Sequence, residues 1–186
     1  MKELIALAKS KPGSRNYGST GIGSEAHVGM EVFGSMAGIV MAPIPYKGAG
    51  AALTDLIGGQ IQLLFPSAIS DVPHVRSGKL KALAVTTDKR AKLLPDLPSI
   101  SESGVPEFEL RGWYGLVAPA GLTPATLQKI HRGMADVLGR PDVQAKFAAS
   151  GAKTVTSSSP AAFRDVVARE IDKLERFGKS SGLKLE

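Results

Sequence analysis

The chain has 186 residues, 43% of them hydrophobic, which is enough for a folded core in one large domain or two small ones. It contains no cysteine, so disulfides, thiolate metal sites and cysteine nucleophiles are excluded, and no apolar run is long enough to span a membrane. The net charge of +6 comes from scattered lysines and arginines that form no basic arm, so nucleic acid binding is not expected.

Up to residue 87, the sequence pattern alternates helices and strands. A short first helix should end at Pro12-Gly13, and a second helix with an apolar face over residues 26–33 should stop near Gly38. Helices are also expected after residues 46–50 and after Pro66. Strands that alternate with helices predict a parallel sheet, which binds ligands beyond the carboxyl ends of its strands. The buried strands are expected at 39–44, 61–65 and 80–86.

After an extended segment expected at 108–117, the pattern changes to helices alone. Thr123-Pro124 should begin the first of them as N-cap and first helical residue. Two more helices should begin at Pro141 and at Ser159-Pro160. The change of pattern indicates two regions, with a crossing segment near 118–121. The apolar face of the first of these helices contains Leu127, Ile130, Met134 and Val137.

Residues 16–30 form the most distinctive stretch of the sequence. Its three glycines, Gly18, Gly21 and Gly23, allow tight turns and close approach of a ligand to the backbone. Its serine and threonine hydroxyls could cap the following helix or bind a ligand. A helix N-terminus with free N–H groups favours a carboxylate or a phosphate, so the stretch predicts an anion cradle. An ordinary Gly/Ser loop before a helix fits the same residues equally well.

Residues 21–26 also fit the dinucleotide-binding pattern G-x-G-x-x-A. That pattern requires an Asp or Glu at the end of the next strand, about 20 residues further on. The next apolar run is followed by residues 45–48, Pro-Tyr-Lys-Gly, which contain no acid, and no G-K-[ST] follows the loop. The sequence therefore disfavours dinucleotide binding and excludes a P-loop.

The histidines show no metal-ligand spacing, and the chain has no H-E-x-x-H or G-x-S-x-G motif. His74 and His131 fit structural or surface roles. His27, shortly after the last cradle glycine, fits either a ligand contact or a cap to a nearby loop. Asp55 and Asp71 fall on predicted helices as surface residues or caps. No metal or cofactor is expected, and nothing in the sequence requires an enzyme.

Several motifs in chain order resemble those of the substrate-binding proteins of tripartite tricarboxylate transporters, the Bug family. The resemblance implies an α/β, type II periplasmic-binding-protein-like fold, with one parallel-sheet ligand-binding lobe (1–118) and a crossing segment with helices of an incomplete second lobe (119–186). It also implies a periplasmic receptor that binds a small carboxylate, without a cofactor, and delivers it to membrane permease subunits. The matching residues are 16–27, 45–48, 53–60, 78–86, Arg90, 94–99, Glu102, 104–106 and 113–121.

Two departures from the family pattern bear on function. Family members begin with a signal peptide and a first βα segment that are not found here, so the chain resembles an N-terminally shortened member, expected to self-associate and to bind carboxylates weakly. Many members also carry an acid or amide where Pro66-Ser67 stands here, which leaves recognition of a ligand amine open.

Two other classes of protein share the fold that the resemblance implies. An effector-sensing domain of a regulator is the alternative function, and it would need a DNA-binding segment. An enzyme such as porphobilinogen deaminase would need a cysteine, which this chain lacks.

The candidate ligand-binding residues lie at the three expected strand exits. Lys47 among them fits either an anion contact or a solvated surface charge. The full set is Gly18, Ser19, Thr20, Gly21, Gly23, Ser24, His27, Tyr46, Lys47, Gly48 and Ser67.

Overall fold

A three-stranded parallel sheet forms the centre of the first part of the chain. The computed structural model describes residues 1–66, 68–92 and 94–181. The elements before residue 77 are α1 (Lys2–Ser10), β1 (Asn16–Ser19), α2 (Glu25–Ala37), β2 (Ala42–Pro45), α3 (Ala49–Ile57), β3 (Leu63–Leu64) and α4 (Ala68–Arg76). The strands lie in the order β2-β1-β3, with Ser19 beside Pro45 and Gly18 beside Leu64. The loops that follow all three strands therefore leave the same edge of the sheet.

The two crossover helices cover opposite faces of this sheet. Tyr17 and Gly18 are neighbours in β1 and therefore point to opposite faces. On the Tyr17 face, the Tyr17 hydroxyl donates a hydrogen bond of 2.6 Å to Glu31 Oε1 of α2. On the Gly18 face, a Cβ at Gly18 would lie 3.3 Å from the Cβ of Ala52 in α3. The connection from β1 to β2 and the connection from β2 to β3 run in opposite directions across the sheet, and right-handed crossovers of opposite direction lie on opposite faces.

Aromatic side chains from three parts of the first unit form its core. The Phe33 ring of α2 is fully buried and lies 5.9 Å from the Phe65 ring and 6.1 Å from the Phe108 ring, between ring centroids. Ala26 and Met30, on the same face of α2, are also buried. The apolar face predicted for this helix is confirmed, and it packs on the residues that follow β3.

Two of the expected strands are shorter than the sequence predicts. The segment at 39–44 enters the sheet only at Ala42, because the Ile39 N–H donates to Gly34 O at the end of α2, at 2.9 Å. The segment at 61–65 pairs with β1 through Leu63 and Leu64 alone. β2 is also an edge strand with alternating exposure rather than a buried one.

The strand expected at 80–86 is wrong: none forms there. The Val85 N–H donates to Pro98 O and the Val85 carbonyl accepts from Ile100 N–H, each at 2.9 Å. These bonds form one isolated parallel bridge between Val85 and Ser99, so the segment pairs with a loop rather than with β3. Residues 108–117 also form no strand, and a short 3-10 helix occupies Ser101–Ser103.

Contacts between Cα atoms divide the chain into two compact units. Met1–Gly112 forms the main part of the first unit, and Trp113–Lys179 forms the second. The division into lobes expected at residue 118 stays a prediction. No helix among the described residues is long and apolar enough to cross a membrane.

The second unit consists of three helices and the segments that join them. They are α5 (Pro124–Gly139), α6 (Pro141–Ala149) and α7 (Pro160–Ser181). The Thr126 N–H donates to Thr123 Oγ1 at 3.2 Å, which confirms the predicted cap. The Trp113 ring packs edge-on against Phe163 of α7 at 5.7 Å. No residue of α5 or α6, both described in full, is buried.

Candidate ligand-binding site

The exits of β1 and β2 lie side by side at the carboxyl edge of the sheet. The Tyr46 N–H, just beyond β2, donates to the carbonyl of Ser19, the last residue of β1, at 2.8 Å. Ser19 itself is almost fully buried, whereas Thr20 is exposed. In a sheet with strand order 2-1-3, ligands bind at this edge, where successive connections leave in opposite directions. The structure thus brings the first two predicted groups of site residues together.

The cradle loop, residues 20–24, owes its shape to two glycines. Gly21 and Gly23 have φ angles of 122° and 76°, in the left-handed region that disfavours residues with a Cβ. A Cβ at either position would meet nothing within 4 Å, so backbone conformation and not space requires glycine there. The open space leaves the backbone accessible to a ligand.

Gly18 lies two residues before Thr20, the first residue of the cradle loop, and whether it contacts a ligand stays a prediction. It lies inside β1, where a Cβ would come within 2.6 Å of Ile61 Cδ1. A side chain here would displace the tips of the Ile61 and Leu64 side chains and crowd Ala52 of α3, because these residues pack closely on this face of the sheet.

Several backbone N–H groups of the cradle already have partners inside the protein. The Gly23 N–H donates to His27 Nδ1 at 3.0 Å, and the Ser24 N–H donates to Gly21 O at 3.2 Å. Ser24 is the N-cap of α2, and its Oγ accepts from His27 N–H at 3.3 Å. Within residues 20–26, all of which the structure describes, the N–H groups of Thr20, Gly21, Ile22, Glu25 and Ala26 donate to no protein acceptor.

His27 holds the cradle loop in place. Its side chain is only 6% exposed. Because Nδ1 accepts the Gly23 N–H, the proton of a neutral ring lies on Nε2. Of the two roles expected for His27, the structure shows the cap to a nearby loop; contact with a ligand stays a prediction.

The exit of β2 presents a second helix N-terminus. Gly48 is the N-cap of α3, with an extended backbone and no capping side chain. A Cβ at Gly48 or at Gly50 would meet nothing within 4 Å. The N–H groups of Ala49, Gly50 and Ala51 donate to no protein acceptor within the described residues, and all three residues are exposed. Lys47 is exposed, and whether it contacts an anion stays a prediction.

The Tyr46 side chain points back onto α3. Its hydroxyl donates to Asp55 Oδ2 at 2.8 Å. This hydrogen bond, more than desolvation, raises the pKa of Tyr46. Sequence spacing does not reveal this contact, because it joins two residues nine positions apart through a turn of unpredicted geometry.

Two acidic residues near this edge also escaped the sequence analysis as site residues. Glu25 lies on the first turn of α2, and its carboxylate sits so close to Gly112 that a Cβ there would overlap it. The surrounding protein displaces water from that carboxylate and raises its pKa. Asp71 of α4 is 6% exposed, and its Oδ2 has no hydrogen-bond partner among the residues that the structure describes. Ser67, the candidate at the third exit, lies outside the described residues.

This arrangement of two helix N-termini can bind an anion. Two neighbouring helix N-termini combine unpaired N–H groups with the positive ends of their dipoles. Among the described residues, no group of three or more His, Cys, Asp or Glu side chains could hold a metal ion. The edge has a donor set suited to a carboxylate.

The parallel sheet with crossover helices on both faces is an α/β fold of the periplasmic-binding-protein type, as its alignment with solved structures of such proteins shows. Residues 1–183 match the family described as the tripartite tricarboxylate transporter family receptor, and the chain belongs to that family. The resemblance seen in the sequence is thereby confirmed.

Three relatives illustrate the match. Protein BugT of Bordetella pertussis is 34% identical over 183 residues, which are 98% of this chain and 56% of BugT. The structure of R. palustris Rpa4515 with adipate aligns with a TM-score of 0.93 at 32% identity, over 98% of this chain and 60% of that one. The periplasmic binding protein BugD aligns with a TM-score of 0.92 at 31% identity, over 99% and 62%. This chain therefore spans little more than half the length of BugT.

Proposed function

We propose that this chain is the solute-capturing part of a periplasmic receptor that binds a small carboxylate for a tripartite tricarboxylate-type transporter. Membership of the receptor family supports the transport role, with membrane permease subunits as partners. The adipate in the structure of Rpa4515, a relative, supports a carboxylate as ligand. The name of BugD, a periplasmic binding protein, supports a location in the periplasm.

One observation carries the proposal: two helix N-termini with unpaired N–H groups lie side by side at the carboxyl edge of the sheet. The Tyr46 N–H bond to Ser19 O joins their two loops. We propose that the N–H groups of Gly21 and Ile22, the Thr20 hydroxyl and the first N–H groups of α3 hold a ligand carboxylate.

The energies of these contacts suit a small anion. Each hydrogen bond to a charged group contributes about 1.5–3 kcal/mol. Each helix end contributes about 0.3–2 kcal/mol more, depending on exposure. Two or three such contacts on an open edge correspond to binding in about the millimolar range, near −4 kcal/mol. The proposal therefore needs no buried cationic side chain.

Adipate and its neutral diamide, adipamide, provide the test. The two compounds have the same carbon chain, and only adipate carries the charge that the helix ends favour. In thermal-shift and calorimetric titrations of the 186-residue chain, with succinate and citrate as further probes, we expect adipate or another carboxylate to bind and adipamide not to. Equal binding of adipate and adipamide, or no binding by any carboxylate of the panel at about ten millimolar, would refute the proposal.

A further inference from the structure

Both hydrogen-bond donors of Tyr46, the backbone N–H and the phenol O–H, are committed to protein acceptors. The Tyr46 N–H donates to Ser19 O, and the hydroxyl donates to Asp55 Oδ2, each at 2.8 Å. The first bond joins the exit of β2 to the exit of β1. The second joins the same exit to the second turn of α3, where Asp55 lies half-buried. Tyr46 thus connects three elements around the site edge.

The hydroxyl of Tyr46 is not free to bind a carboxylate. A phenol has one proton to donate, and that proton points to Asp55. The lone pairs left on the phenol oxygen are acceptors, which repel a carboxylate oxygen. The hydroxyl of Tyr46, a candidate ligand contact from the sequence, therefore has no proton left to donate to a ligand in this geometry.

No side chain among the described residues caps the start of α3. Its N-cap is Gly48, which has no side chain to cap the helix, and Gly50 follows two residues later. Glycines have the largest backbone freedom to lose on ordering. A donor group that must meet a ligand in one geometry gains from being held in that geometry before binding.

We propose that Asp55 is a positioning residue for the ligand site: by holding the Tyr46 hydroxyl, it fixes residues 46–48 and so aims the first N–H groups of α3. This inference rests on the proposed function of the sheet edge. Asp55 does not touch the ligand in this account. Its carboxylate acts through the Tyr46 ring, and the ring acts through the backbone that it anchors.

Amide hydrogen exchange tests the positioning without any ligand. Asp55→Ala and Tyr46→Phe should each accelerate exchange of the hydrogen-bonded amides at 46 and 52, which donate to Ser19 O and Gly48 O, by about tenfold or more, the equivalent of losing one hydrogen bond to a charged group. Asp55→Asn keeps an oxygen that accepts the phenol proton, so it should leave exchange close to wild type. Asp96→Ala, the loss of an exposed acid in the same unit, is the matched control. Unchanged exchange in Asp55→Ala would overturn the proposal.

Adipate affinity separates positioning from direct contact. We expect Asp55→Ala and Tyr46→Phe to weaken binding by the same factor, and the double variant to lose no more than either, because both break one interaction. Asp55→Asn should restore most of the affinity. Loss in Tyr46→Phe with unchanged or tighter binding in Asp55→Ala would show that the hydroxyl contacts the ligand, and would contradict the proposal.

A tyrosine titration gives the spectroscopic signature. In Asp55→Ala one tyrosine should ionise at lower pH than in the wild type, since the hydrogen bond that raises the pKa of Tyr46 is gone. Tyr114→Phe, which removes a tyrosine that is 83% exposed, controls for the solvent-facing signal. If no carboxylate binds the wild-type chain, the proposed function fails, and the exchange and titration results alone decide whether Asp55 holds the exit.

Discussion

The exits of β1 and β2 reach the same sheet edge and present the same kind of group, yet they are stabilised in different ways. The β1 exit is fixed locally: Ser24 caps α2, and His27 accepts the Gly23 N–H. The β2 exit has a glycine cap and depends on a tyrosine–aspartate pair that reaches to the second turn of α3. Sequence spacing predicts a local cap such as Ser24, whereas it does not predict the hydrogen bond between Tyr46 and Asp55.

The largest effect is expected at the base of the β1 exit. Gly18→Val should destabilise the fold by about 1–3 kcal/mol or more, because its methyl groups would enter space occupied by Ile61. Gly48→Ala at the β2 exit is the control and should cost much less, since its backbone is extended and the space is open. Urea unfolding of both variants measures the contrast. Equal losses would contradict the different roles of the two glycines.

Next in size is the effect of the exposed hydroxyl of the cradle loop on binding. Thr20→Ala should weaken adipate binding by about tenfold or more, the cost of losing one hydrogen bond to a charged group. Thr20→Ser keeps the hydroxyl and should retain most of the affinity. Calorimetry on both variants tests this. Unchanged affinity in Thr20→Ala would remove the threonine from the site.

The acid at the start of α2 should oppose ligand binding. Glu25→Gln removes a negative charge beside the unpaired N–H groups, so adipate should bind about twofold to fivefold more tightly, within the range of exposed charge interactions. Because its pKa is raised, Glu25 also makes the stability of the fold depend on pH in a definite direction. The folded state holds the proton more tightly, so a stabilising contribution present in acid is lost as pH rises through the folded pKa.

Unfolding experiments on Glu25→Gln should therefore show a gain in stability at neutral pH that shrinks as the pH falls toward the usual carboxyl pKa. A gain that grew in acid instead would mean that the carboxylate is stabilised in the fold, contrary to the direction of its pKa shift.

The smallest effect is expected for the exposed lysine of the β2 exit. Lys47→Ala should change adipate affinity by less than about 1 kcal/mol, because the side chain is solvated and screened. Raising the salt concentration should reduce even this difference. A hundredfold loss of affinity would show instead that the lysine reaches the ligand, and that the β2 exit acts through a side chain.

The sequence predicted those parts of the fold that depend on local signals. Ser24 at the start of α2 and Gly38 at its end, with φ of 65°, mark the helix by their own chemistry. The strand expected at 80–86 failed because a strand also needs a partner. Val85 pairs with the loop at 98–100, and no spacing within the segment reveals that choice.

In the candidate site too, local signals predict some features and non-local contacts determine the others. Glycine spacing predicted where the cradle loop turns and that a helix follows it. It did not predict which N–H groups stay free, because the acceptor for Gly23 is an imidazole whose orientation depends on packing. Asp55 looked like a surface acid, since its link to Tyr46 depends on the path of the chain between them. Local sequence spacing thus locates the proposed binding edge, whereas non-local contacts determine which of its N–H groups remain unpaired.

The central claim is that both helix N-termini hold the ligand carboxylate through backbone N–H groups, and an NMR titration tests it most directly. With adipate added to the isotope-labelled 186-residue chain, we predict concerted amide shifts at Gly21, Ile22, Glu25 and Ala26 and at residues 49–51, with the same midpoint at both sites. Adipamide should leave these amides unchanged. Adipate binding that shifts amides elsewhere while leaving both helix ends unmoved would contradict the account.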